Sequence, residues 1–255
     1  MLHDFSQDLF DVVIQAGQSN SEGTGYGDAP DPYTVSDDVW YLQNNMVIER
    51  AAETVHQNVI RGNFALSFAR RYIAAGCLSP GRKLLIVRAA VGGTGFTDGQ
   101  WGLSDPLFLR MMRMTRTALS LNPGNIPVAL LWHQGETDAV NQAGYEIHRA
   151  NLSALIGAVR DAFGGPGLPF VAMEFVPHWI RMNADLCRPI LQAMRDVCLS
   201  AGHAAFLGSE GLASNDQTFG GGDAIHFSRE ALYQMGERYF DAYASLRDQT
   251  KPISM

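Results

Sequence analysis

The chain is short of three things, and each shortage excludes a class of protein. Cysteine occurs three times in 255 residues. An odd count without metal-type spacing argues against a disulfide framework and against a structural zinc site. Cys77, Cys187 and Cys198 are expected instead to be buried small hydrophobes in a reducing compartment. Basic charge is also scarce: 19 Lys and Arg against 26 Asp and Glu leave a formal net charge of −7. A protein that tracks a nucleic-acid backbone needs a basic stripe, so no nucleic-acid partner is expected. Long apolar runs are missing too. Residues 126–132 have the size of a buried strand rather than a bilayer span, so no membrane partner is expected either. Before the first apolar run stand Asp4, Asp8 and Asp11 and no Lys or Arg. That is the reverse of a signal-peptide start, and the expected location is cytoplasmic.

What is present describes a globular enzyme-sized domain. Hydrophobic residues make up 46% of the chain, enough for a core without staples, and no composition break or internal repeat divides residues 1–255. Apolar β-branched runs predict strands at 11–16, 39–42, 83–90, 126–132, 169–175 and 204–207. Helical spacing predicts helices at 63–75, 107–121, 143–163, 184–201 and from 228 to about 247. Asn63 and Ser228 stand at capping positions. Phe64, Phe68 and Tyr72 share one helix face and read as core, as do Met111, Met112 and Met114. Residues 20–38, rich in Gly, Asp and Pro, form a long loop of the kind that binds ligands. Residues 43–62 show no clear period. Alternation of strand and helix defines an α/β protein: a three-layer α/β/α sandwich around a mainly parallel five-stranded sheet, flavodoxin-like. In the order 2-1-3-4-5, ligands collect at the carboxyl ends of the strands near the switch point.

Chemistry concentrates at those ends. Ser19 stands two residues past Gly17, where the first strand stops, and is the candidate nucleophile; Ser21 is a rival hydroxyl and Glu22 a near neighbour. A serine needs a base, and the base needs a carboxylate to fix its tautomer. Of seven histidines, only His226 follows an Asp at three residues (Asp223-x-x-His226), beside a Gly220-Gly221-Gly222 run fit for a loop over a cleft. An oxyanion needs donors. Three are available in principle: the N–H of Ser19, the N–H of Gly92 or Gly93, and the amide of Gln134.

Gly17-Gln18-Ser19-Asn20, Gly92-Gly93-Thr94, His133-Gln134-Gly135-Glu136-Thr137-Asp138 and Asp223-x-x-His226 occur in an order that resembles a known family. They are similar to the sialate O-acetylesterase-like branch of the SGNH (GDSL-type) hydrolases, which includes carbohydrate acetyl esterases and acetylxylan esterases. The resemblance runs from about Val12 to the last helix. It implies a serine esterase without a cofactor or metal, acting on an acetylated glycan or small ester. Ser19 would be nucleophile, His226 base and Asp223 its orienter. Ser19, Gly92, Gly93 and Gln134 would form the oxyanion hole, with Gln18, Asn20 and Glu136 supporting these groups. Trp101 falls where the family often has a tryptophan. Arg61-Gly62-Asn63 departs from the family's usual Gly-Pro before that helix.

Other readings compete on the residues alone. Glu136 and Asp138 could cap the helix after the fourth strand rather than position Gln134. The elbow G-x-S-x-G of α/β-hydrolases fails at its last position, where Ser21 stands. The stretch Gly92-Gly93-Thr94-Gly95 matches neither dinucleotide nor phosphate-loop spacing. A metal hydrolase could use His133, Glu136, Asp138, Asp223 and His226, though no tight ligand pair supports it. A carbohydrate-binding protein that has lost turnover would not need Ser19, Asp223 and His226 intact.

Overall fold

The structure, a computed structural model, describes residues 3–248. The chain enters its sheet with β1 (Leu9–Gly17), turns through the short α1 (Ser19–Glu22), then forms β2 (Val39–Leu42) and β3 (Ile48–Arg50). A hairpin of β4 (Thr54–His56) and β5 (Val59–Arg61) precedes α2 (Phe64–Ala74). Next come β6 (Arg82–Arg88), α3 (Pro106–Ser120), β7 (Ile126–His133), α4 (Glu136–Val140) and α5 (Tyr145–Phe163). After β8 (Phe170–Met173) follow α6 (Pro177–Met182), α7 (Ala184–Ser200), β9 (Ala204–Leu207), α8 (Asn215–Phe219) and α9 (Arg229–Asp248).

Val12, Val13 and Ile14 are consecutive and fully buried, as a strand covered on both faces requires. β1 is therefore central, with β6 on one side and β7 on the other, both parallel to it. The whole sheet runs β3-β2-β6-β1-β7-β8-β9, and only β3 is antiparallel to its neighbour. The α/β class with a mainly parallel sheet is thus as expected, but the sheet has seven strands rather than five. The added width comes at one edge. β2 pairs with β6 outside the 2-1-3-4-5 core, and β3, from the stretch without a clear period, pairs with β2. Without β2 and β3, the remaining five strands follow the flavodoxin-like order.

The crossover to β6 runs away from β1 on one side, and those to β7, β8 and β9 on the other. Right-handed connections then put α2 on one face and α3, α5 and α7 on the opposite face. α2 packs on α9 through rings: Phe64 meets Tyr239 at 4.8 Å, and Phe68 meets Phe240 and Tyr243 at 5.9 and 5.6 Å. Met111, Met112 and Met114 are buried in the core. All three cysteines are free thiols, and burial pushes those of Cys187 and Cys198 up to about 12. Asn63 caps α2 by accepting from Ala65 N–H at 2.8 Å, and Ser228 Oγ accepts from Ala231 N–H at the start of α9. The start of the segment expected to be loop, residues 20–38, is helical, in α1, and α8 ends just before the Gly220-Gly221-Gly222 run. No described helix is long and apolar enough to cross a membrane.

Candidate active site

The tip of β1 is built by backbone. Gly17 has φ +124°, and a Cβ there would lie 2.0 Å from the His133 carbonyl oxygen. Only glycine permits that approach. The Gln18 N–H then donates to His133 O at 2.9 Å, and α1 begins at Ser19. As the head of a helix, the Ser19 N–H has no helical carbonyl to meet.

Ser19, His226 and Asp223 are brought into one hydrogen-bonded chain. Ser19 Oγ lies 2.9 Å from His226 Nε2, and His226 Nδ1 lies 2.8 Å from Asp223 Oδ1. The residues come from opposite ends of the sequence; Asp223 and His226 sit on the irregular segment between α8 and α9 rather than on a helical turn. Asn20 holds the two ends together. Its side-chain oxygen accepts from Phe227 N–H at 3.0 Å, while its amide donates to Ile225 O and to Glu136 Oε1. Asn215, which no sequence motif marked, donates to the second Asp223 oxygen at 2.8 Å and to Thr24 O. Burial pushes the Asp223 carboxyl up, but hydrogen bonds from His226 and Asn215 and the imidazole's charge leave it below the usual aspartate range.

Ser21 is set apart. Its hydroxyl is fully buried and donates to Ala16 O at 2.9 Å. Gln18 Oε1 accepts from Gly135 N–H and Thr137 N–H at 3.4 and 3.2 Å, tying the β1 tip to the start of α4. A cleft of about 380 Å³ opens at Ser19 and His226, lined also by Gln18, Thr24, Glu136 and Thr137. Glu22 and Gly92, joined by a hydrogen bond, line it with Gly93, and Val140 and Ile225 supply apolar surface.

The expected oxyanion donors divide. Gly93 faces the cleft and its N–H has no acceptor among the described residues, whereas the Gly92 N–H donates to Glu22 Oε2 at 2.8 Å. Gln134 is not brought to the cleft wall. It is fully buried behind the 92–95 turn, where its amide donates to Asp138 Oδ2 at 2.9 Å and lies 3.4 Å from Thr94 O. The physical reason is Asp138, which gathers donors from that turn and from α5: Thr97 N–H at 2.9 Å, Thr97 Oγ1 at 2.7 Å and His148 Nδ1 at 3.2 Å. Burial raises the Asp138 carboxyl, but the bond and charge of His148, with Thr97 and Gln134, bring it down to about 2. Thr94 is held in turn by Trp101, whose Nε1–H donates to Thr94 Oγ1 at 2.9 Å. Asn63, at the departure from the family's Gly-Pro, accepts from Gln15 Nε2 at 2.8 Å and donates to Glu22 O.

The residues of the metal-hydrolase alternative fall into separate pairs. His133 Nε2 meets Glu136 Oε1 at 3.0 Å, Asp138 meets His148, and Asp223 meets His226. No three His, Cys, Asp or Glu side chains are grouped to hold an ion among the described residues. Burial raises the Glu136 carboxyl, but the charge and hydrogen bond of His133, with Asn20, leave it lowered.

A mainly parallel sheet carries a serine, an imidazole and a carboxylate in one hydrogen-bonded line near its carboxyl edge, an arrangement found in hydrolases. The chain belongs to the carbohydrate esterase, sialic acid-specific acetylesterase family, whose model matches residues 9–245. Membership makes it a carbohydrate O-acetylesterase, a carboxylic ester hydrolase. It is 24% identical over 252 residues to an Arabidopsis thaliana protein named "Probable carbohydrate esterase", covering 92% of this chain and 90% of that one. A segment of 93 residues is 30% identical to an Escherichia coli K12 protein named "Probable 9-O-acetyl-N-acetylneuraminic acid deacetylase", covering 30% of this chain and 28% of that one. The fold matches that of NanS with a TM-score of 0.77 at 18% identity, over 95% of this chain and 99% of the other.

Proposed function

We propose that the protein removes acetyl groups from O-acetylated sugars by two-step acyl transfer through Ser19. Ser19 Oγ attacks the acetyl carbonyl carbon as His226 Nε2 takes its proton. Asp223 holds the imidazole in the tautomer that leaves Nε2 free to accept, and stabilises the imidazolium. The tetrahedral intermediate expels the sugar alcohol, which takes the proton from His226. Water, deprotonated by the same ring, then attacks the acetyl-serine and releases acetate. The observation that carries this reading is the 2.9 and 2.8 Å chain from Ser19 through His226 to Asp223.

For the oxyanion, the open donors are the N–H groups of Ser19 and Gly93. Gln134, with its amide on Asp138, acts from beneath by holding the 92–95 turn that presents Gly93. A serine-directed phosphonate should label Ser19, and Ser19→Ala should abolish labelling and cut turnover of p-nitrophenyl acetate by roughly 10⁴-fold. Chelator should leave the wild-type rate unchanged. Unlabelled Ser19, or near-normal turnover by Ser19→Ala, would remove the nucleophile assignment.

A further inference from the structure

We propose that Glu22 selects neutral O-acetylated sugars over anionic ones, a reading that rests on the esterase assignment above. The cleft-lining residues among those described include no Lys or Arg. A methyl added at Gly92 would lie 3.1 Å from Glu22 Oε2 and 3.4 Å from Ser19 Cβ. The carboxylate and the nucleophile therefore flank one point of the wall, and a sugar whose ester reaches Ser19 must lie beside Glu22. Carboxylate oxygens accept hydrogen bonds from hydroxyl groups, which suits a polyol. A sugar acid meets a like charge there instead, with no cation on the wall to offset it.

Two guanidinium groups, Arg88 and Arg110, lie near Glu22 but outside the residues that line the cleft. Arg88 donates to the Glu22 backbone carbonyl at 2.6 Å and to Gln43 Oε1, and stacks over Tyr41 at 4.8 Å. It faces a separate recess of about 70 Å³, too small for a sugar. Arg110 donates to Ala89 O and its charge interacts with that of Glu22 from behind the wall, so it offsets part of the carboxylate's charge without itself reaching a bound sugar. The Gly92 N–H fixes the Glu22 carboxylate on the wall, so the charge cannot swing away without giving up that bond.

The test compares an O-acetylated sialic acid with the methyl ester of its carboxylate, reading acetate release, with p-nitrophenyl acetate as uncharged reference. At about 10 mM salt the methyl ester should show kcat/KM about fivefold or more above the free acid, and the ratio should shrink as salt is raised. Glu22→Gln keeps an acceptor for the Gly92 N–H and removes the charge, so it should bring the ratio toward one. Ser19→Ala protein should bind the methyl ester more tightly than the free acid, a readout that needs no turnover. Equal or better use and binding of the free acid overturns the proposal, and a ratio unchanged in Glu22→Gln overturns the assignment to Glu22. Failure on every ester, p-nitrophenyl acetate included, would remove the esterase reading, and the binding comparison would still decide the charge preference.

Discussion

In the proposed mechanism Asp223 serves only while it is ionised and only while it holds His226 in one tautomer. Burial works against the charge, and the bonds from His226 and Asn215 more than offset it. The orienting carboxylate thus keeps its charge below the range in which aspartates usually titrate. As pH falls through the usual aspartate range, Asp223 should therefore keep its charge and its hold on the ring. Asp223→Asn should lower kcat by on the order of 10⁴ through the wrong tautomer. A kcat within tenfold of wild type in that variant would show that the ring is oriented by something else. At this scale the sequence displays Ser19, Asp223 and His226 because each sits in a short local pattern. It conceals Asn215, which carries no motif and reaches Asp223 only through the fold. It does not display the partner of Gln134, whose amide donates to Asp138, a residue whose placement depends on His148 and Thr97 from two other segments.

Elements differ in how much of their placement the chain states locally. β1, β6 and β7 are long apolar runs ended by glycine or a polar cluster, and burial on both faces leaves no alternative use for them. β3, β4 and β5 are three residues each and largely exposed, too short for a period to show. The position of β2 outside β6 is a long-range pairing, invisible to local pattern, and this is why the expected strand count and order fell short at that edge. The end of β1 offers a sharper test of element packing. Gly17→Ala must force a Cβ into the His133 carbonyl at a φ of +124°, so it should cost more than about 3 kcal/mol in urea unfolding and separate β1 from β7 at the site. Gly144→Ala is the control: its φ is +77°, but a Cβ there meets nothing within 4 Å. Its ψ of 165° puts it in a region open essentially to glycine, so strain alone should cost it about 1–3 kcal/mol. Equal losses in the two variants would mean that contact between β1 and β7 does not set the tip of β1.

The whole molecule closes around polar groups that tie distant segments together, and these make its stability depend on acid. Asp138 joins the end of β7, the 94–97 stretch and α5 through bonds to Gln134, Thr97 and His148. Its carboxyl, at about 2 in the fold, sits below its value of about 3.9 in an unfolded chain. Between those limits the unfolded state binds the extra proton, so folding stability rises with pH. The contribution is complete above about pH 4 and is lost as pH falls through about 2; its size is about 2 kcal/mol. Asp138→Asn, which removes the charge and keeps the shape, should therefore be less stable than wild type by about that amount at pH 7. The gap should narrow in urea titrations at successively lower pH below 4, because protonated Asp138 is itself neutral. A gap that stays constant down to pH 2 would mean that Asp138 contributes through its neutral hydrogen bonds, and that the acid sensitivity of the fold arises at other carboxylates.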